Sequence, residues 1–197
     1  MTGPEGFYIR LSLSSPGVYN AVDALAATAA FIGQGGDGRL PSVAFKSFQG
    51  VKRRQEFLGD FNGISLIDDF AHHPSAVEKT LAALRAAVPG RRLLAAFEPR
   101  SNTSRRAIFQ IDYARALSGA DLVFLRRPSQ PEKAPEGDRL DADRLAADLG
   151  AGTFLFDDGA ALGQALVRDA QPGDVVAVMS NGGFDGLTAY LKEKLAA

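Results

Sequence analysis

The sequence predicts an α/β protein: a mostly parallel sheet with helices on both faces, preceded by a smaller strand-and-helix unit. Three observations predict it. From about residue 64 onward, short apolar runs alternate with segments of helical periodicity, the pattern of strands buried on both faces and joined by crossover helices. A hairpin signal, Asp60-Phe61-Asn62-Gly63, adds an extended segment at the front of that series. Residues 18–33 carry a helical repeat of their own ahead of the glycine-rich connector "GQGGDGRLP", which places a domain boundary shortly after it.

In chain order, "FYIRLSL" (7–13) alternates apolar and polar residues and predicts a strand, closed by the turn "SSPG". "VYNAVDALAATAAFIG" follows as a helix, with Val18, Val22, Leu25, Ala29 and Ile32 at helical spacing. "PSVAFKSF" reads as a short helix before the charged "KRRQE". Strands are expected at 64–68, 92–97, 121–125, 153–156 and 174–179, and helices at about 75–88, 103–117, 141–149, 159–170 and 185–195. The proline-rich, charged stretch 126–138 is expected to be a mobile surface loop.

Composition narrows the class. Hydrophobic residues make up 46% and charged residues 23% of the 197, which suits a packed core and argues against disorder. Twenty-two basic against 23 acidic side chains, with no basic block, argue against a nucleic-acid partner or an anionic membrane surface. There is no cysteine, so no disulfide framework and no thiolate metal site. No signal peptide is visible in "MTGPEGFYIR", and the longest uncharged apolar stretch, residues 24–33, is too short to span a bilayer. A soluble cytoplasmic protein is expected.

Parallel α/β sheets bind ligands beyond the carboxyl ends of their strands. Three of the segments that follow the expected strands are rich in binding groups: "DFAHHPS", "EPRSNT" and "SNGGFDG". In the first, Asp68, Asp69, His72 and His73 could satisfy loop and helix-start backbone groups. They could instead clamp a nucleotide, with a carboxylate on a ribose and imidazoles facing phosphate or magnesium. A zinc site lacks both the His-x-x-x-His pairing and an obvious third ligand. In the second, Arg100 can grip a carboxylate with a two-pronged fork, or Asn102 or Thr103 can simply cap a helix. The third is a tight turn or an anion-binding nest. Nothing matches G-x-x-x-x-G-K followed by Ser or Thr, so the chain carries no phosphate loop.

Five motifs, "GVYNAVDALAA", "FQGVKRRQE", "LIDDFAHHPSAVEKTL", "FEPRSNT" and "VMSNGGFDGL", resemble in identity and order those of the Mur ligase family. The resemblance implies residues 1–45 as the tail of a central ATP-binding domain and 46–197 as a C-terminal Rossmann-like domain that brings the peptide. It implies adenine contact at Asn20, whereas Asp23 stands where the family has asparagine. A carboxylate only accepts hydrogen bonds, which puts the adenine contact at Asp23 in doubt. It also implies phosphate contact at Arg54 and ribose contact at Asp69, with His72 nearby. The peptide loop would comprise Arg100, Ser101, Asn102 and Thr103, with Asn181 and Gly182 flanking the same cleft.

The resemblance further implies ATP and Mg2+ as cofactors, and UDP-N-acetylmuramate and the murein tripeptide L-Ala-γ-D-Glu-meso-diaminopimelate as substrates of a full-length cell-wall recycling ligase. ATP would activate the lactyl carboxylate as an acyl phosphate for attack by the peptide amine. Neither a metal ligand nor a catalytic residue is expected within the chain itself, which is expected to be inactive alone. Two other readings stand beside this one: a free-standing amino-acid or peptide binding module, and a small metal-dependent hydrolase built on "DDFAHH".

Overall fold

The computed structural model describes residues 8–197. Its centre is one six-stranded sheet made of β1 (Glu56–Phe61), β2 (Ile64–Asp69), β3 (Leu93–Phe97), β4 (Leu122–Arg126), β5 (Thr153–Phe156) and β6 (Val175–Met179). The strand order is β1-β2-β6-β3-β4-β5. Only β1 runs antiparallel, joined to β2 by Asn62 and Gly63. Both turn residues have positive φ, 51° and 81°, the turn whose twist matches the flanking strands.

The described residues form seven α-helices: α1 (Val18–Gly33), α2 (Leu40–Ser47), α3 (Pro74–Ala87), α4 (Gln110–Leu117), α5 (Ala142–Leu149), α6 (Gly159–Asp169) and α7 (Leu187–Ala196), of which α3 to α7 cover the sheet. Successive strand residues point to opposite faces, so the near-continuous apolar strands feed two cores. Leu93, Ala95 and Phe97 of β3 pack with Leu81 of α3, Tyr113 of α4 and Leu145 of α5. Leu94 and Ala96 of the same strand pack on the other face with Leu162 of α6 and Leu191 of α7. Among the described residues no helix is long and apolar enough to cross a membrane.

One feature of the topology positions the site. β2 and β3 are consecutive in the chain, yet β6 inserts between them. Asp69, Met179 and Phe97 lie at the same level across these three strands, so the segments beginning at Phe70, Ser180 and Glu98 leave the sheet side by side. β1 runs the other way, and Glu56 pairs with Asp68. Residues 53–55 therefore arrive at the same edge.

Several expectations are corrected. Residues 8–13 form no strand, only a single bridge position at Tyr8, and Phe7 lies outside the described residues. The helix expected at 103–117 is α4 alone. Ahead of it Ser101 closes a turn by accepting the Ser104 amide through Oγ (2.9 Å), and Arg106 is extended and bridged to Arg139. Residues 126–138 are a structured segment with 3₁₀ turns at Pro131–Lys133 and Glu136–Asp138. Ala134 is buried there, and the Ser129 carbonyl accepts a bond from Arg105 Nε at 2.8 Å.

Candidate functional site

Asp69 ends β2 and is almost fully buried. Its Oδ1 accepts the amide of Ala71 (2.6 Å) and its Oδ2 the amide of Gln55 (2.8 Å). The carboxylate thus ties the start of the histidine loop to the segment before β1. His73 is the N-cap of α3: its Nδ1 accepts from the Ser75 amide and meets the Ser75 hydroxyl at 2.9 Å, and Pro74 opens the helix. His72 places Nδ1 3.0 Å from the Phe70 carbonyl, and its own carbonyl accepts the Tyr113 hydroxyl at 2.6 Å. Burial pushes that tyrosine's ionisation well above the ordinary phenol range. The pair "HH" is therefore one helix cap and one loop imidazole. Among the described residues no three His, Asp or Glu side chains cluster as a metal site.

The twin arginines part ways. Arg53 donates through Nη2 to the carbonyls of Ser180 (2.5 Å) and Gly182 (2.8 Å), and its Nε lies 3.4 Å from Asp68 Oδ2. Arg54 is exposed, and although its amide donates to the Val51 carbonyl (3.0 Å), its side chain makes no hydrogen bond or ion pair among the described residues. It stacks on the Phe70 ring at 5.1 Å, as Arg53 also does. A guanidinium left free above a crevice suits an anion.

Asn20 on α1 reaches the same region, its Nδ2 lying 3.3 Å from Gln55 Oε1 and 2.5 Å from the Pro16 carbonyl. The chain turns into α1 at Gly17, whose φ of 108° and close approach to Ala83 of α3 (2.9 Å for an added Cβ) require glycine. Asn20 and Asp23 sit on the wall of a cavity of about 240 Å3 lined by apolar groups that include Leu13, Ala24, Ala27 and Phe48. A mostly apolar slot with a few amide and carboxylate groups is the usual lining of a site for a flat heterocycle.

On the far side, the Arg100 side chain lies across Gly182. An added Cβ there would meet Arg100 Cδ at 2.4 Å, so the residue must be glycine for the arginine to take this path. Beneath it, Glu98 is fully buried. Its Oε2 accepts the Ser180 hydroxyl (2.6 Å), whose oxygen accepts the Gly182 amide (2.9 Å). Glu98 Oε1 is 3.9 Å from Arg100 Nη1. Asn102 turns back to Arg105 at 3.4 Å, and Thr103 is exposed. Of the expected peptide loop, the structure brings together Arg100 with Asn181 and Gly182. Ser101 is spent on the turn.

Among the described residues, four buried side-chain atoms have no hydrogen-bond partner: Gln55 Nε2, Asp68 Oδ1, Glu98 Oε1 and Asn181 Oδ1. All four lie at this edge. Sequence reasoning missed Arg53, Gln55, Glu98 and Ser180. The detectable signal was a carboxylate (Glu98) directly after an all-apolar strand.

Burial holds the carboxyls of Asp68 and Asp69 above their ordinary value of 3.8. A carboxyl raised in the fold stabilises it most when protonated, below the unfolded value, and loses that contribution as pH rises through the folded value. Asp68→Asn removes one such titration. The thermal midpoint of the variant should therefore gain on that of the parent as the pH rises from the ordinary carboxyl value of 3.8 upwards. An unchanged difference across that rise would show that Asp68 is not penalised by burial.

Fold and crevice together define a Rossmann-like α/β domain whose polar groups gather where the strand order reverses, at the carboxyl ends of β2, β6 and β3. Residues 53–182 match the family model described as "Mur ligase, glutamate ligase domain". The chain belongs to the Mur ligase family. It is 42% identical over 155 residues to the UDP-N-acetylmuramate--L-alanyl-gamma-D-glutamyl-meso-2,6-diaminoheptandioate ligase of Escherichia coli K12, a match covering 78% of this chain and 32% of that protein. Among solved structures it resembles a murein peptide ligase from Psychrobacter arcticus, with a TM-score of 0.70 and 30% identity, over 94% of this chain and 38% of that one. The fold is also that of a MurF ligase from Thermotoga maritima in complex with ADP (TM-score 0.62, 16% identity, 91% of this chain and 38% of that one). The chain spans about a third of the length of the curated relative.

Proposed function

We propose that this chain is the peptide-presenting, cleft-closing C-terminal part of an ATP-dependent ligase that joins UDP-N-acetylmuramate to L-Ala-γ-D-Glu-meso-diaminopimelate. The observation that carries the reading is the gathering of all four unpaired buried polar atoms at one crevice, beside the free Arg54 and the half-exposed Arg100. Buried polar groups are nearly always satisfied, so a cluster of exceptions marks a surface shaped to meet a ligand.

The residues present fit a share of an ATP site. Asn20 and Asp23 line an apolar slot suited to adenine, Asp69 fixes the loop beside it, and Arg54 is the cation for phosphate. Bound ATP would supply the activation of the sugar carboxylate. The chain's own contribution is to orient: Arg100, seated on Gly182, takes a peptide carboxylate in a two-pronged grip. This places the peptide amine towards the partner wall, and positioning of that kind supplies much of the rate in bimolecular ligation. His72, on the same loop as Asp69 with its Nδ1 at the Phe70 carbonyl, is assigned to the nucleotide side. Mg2+ would be held chiefly by groups outside this chain.

The chain divides, in this reading, at residues 48–52, between α2 and β1. The helices before that break leave Val18, Val22, Phe31, Leu40 and Val43 exposed, as expected for a fragment of a larger core.

The test supplies ATP, magnesium, UDP-N-acetylmuramate and tripeptide to the pure 197-residue chain. No ADP release above background is expected, and calorimetry should find ATP binding weak. A longer ligase that joins this chain to a phosphate-loop domain should turn over. Ligation by the chain alone, or micromolar ATP affinity, would overturn the shared-site reading.

A further inference from the structure

We propose that Arg53 is a positioning residue that links the two loops of the crevice: it holds the Arg54 loop and the seat of Arg100 in one rigid unit. The inference rests on the assignment of Arg100 to the peptide.

Arg53 belongs to the segment before β1, yet it reaches across β2 to the loop after β6. Its Nη2 donates to both the Ser180 and Gly182 carbonyls. Those two residues are the seat of Arg100. Gly182 lies directly beneath the Arg100 side chain, and Ser180 holds the Gly182 amide and the Glu98 carboxylate. Arg53 is fastened in four further ways. Its amide donates to Glu56 Oε2 (2.8 Å), its carbonyl accepts the Phe70 amide (2.7 Å), its Nε faces Asp68, and its guanidinium stacks on Phe70.

The backbone around Arg54 shows why such fastening is needed. Arg53 and Gln55, on either side of it, both have positive φ, 56° and 48°. Side-chain-bearing residues adopt that region only where the surroundings impose it, and such positions collect at functional sites. Asp69 secures Gln55. Arg53 secures the other flank, and in the same bonds fixes the carbonyls of the peptide loop. A displacement of either loop is thus felt by the other through one side chain. Lysine could reach a carbonyl, but it lacks the planar fork that bonds, pairs and stacks at once.

Two measurements test this. In the 197-residue chain itself, Arg53→Ala should speed amide hydrogen exchange at residues 181–183 while leaving α6 protected. In a full-length ligase carrying this chain, Arg53→Ala should lower tripeptide kcat/KM on the order of 100-fold, the scale of a small misplacement, with Arg53→Lys retaining part of the loss. The effect should appear in the peptide KM although Arg53 is assigned no peptide contact. Arg53→Ala combined with Arg100→Ala should be no worse than Arg100→Ala alone, because both act through one seat. Additive losses, or unchanged exchange at residues 181–183, would overturn the proposal and leave the peptide-site reading standing. A silent Arg100→Ala would remove both.

Discussion

Arg100→Ala, in a ligase carrying this chain, should cut kcat/KM for the tripeptide by roughly 30-fold to several thousand-fold, the equivalent of about 2–5 kcal/mol for losing one partner of a desolvated charge pair. The lower end is favoured, because the Arg100 side chain is 45% exposed here and is dehydrated only if the cleft closes over it. Two consequences make the result specific. Kinetics varying ATP at saturating peptide should be changed far less. Gly182→Ala should reproduce much of the defect with Arg100 intact, since its methyl would occupy the space of the arginine side chain. Steady-state measurements with each substrate varied in turn decide it. An unchanged peptide kcat/KM in Arg100→Ala would reduce "EPRSNT" to a turn between β3 and α4.

Asp69→Ala should destabilise the 197-residue chain by roughly 2–6 kcal/mol, because two buried amides, Ala71 and Gln55, would each lose their acceptor at about 1–3 kcal/mol apiece. Released from Asp69, the left-handed conformation at Gln55 relaxes and Arg54 shifts with it. In the full-length enzyme the same variant should therefore raise the KM for ATP more than that for peptide. Asp69→Asn, which keeps one carbonyl acceptor, should lie between the two. Denaturant titration of the chain measures the first effect and initial rates the second. If neither moves, the carboxylate is not the clamp its geometry describes.

How much was legible before the structure varies from element to element. The strands of 93–97 and 175–179 were readable because nothing but a doubly covered strand explains five consecutive buried apolar residues. The helix of 74–87 was readable from its repeat and its Pro74 start. The described part of the strand expected at 7–13 and the first half of the helix expected at 103–117 were misread for one reason: both are local patterns whose outcome depends on partners distant in sequence. The first is reduced to a single bridge position at Tyr8, and the second was drawn into a bridge between Arg106 and Arg139. Asn20, Arg54, Asp69 and Arg100 could be named from motifs as candidates for the site. Arg53 could not, since an arginine beside another arginine looks like surface charge until its burial is known, and for Glu98 the one signal was its place directly after an all-apolar strand.

The sequence by itself determined the α/β class, the alternation of five parallel-type strands with helices, and the presence of reactive loops at strand ends, because periodicity and turn chemistry are local properties of the chain. Only the tertiary structure decided which loops meet. The insertion of β6 between β2 and β3 put residues some 110 positions apart, Asp69 and Ser180 (amide to carbonyl, 3.1 Å), on neighbouring strands. It laid Arg100 over Gly182 and sent Arg53 across to the same loop. Strand order is set by how two hydrophobic faces are best covered at once, a property of the whole assembled core that no short window of sequence contains.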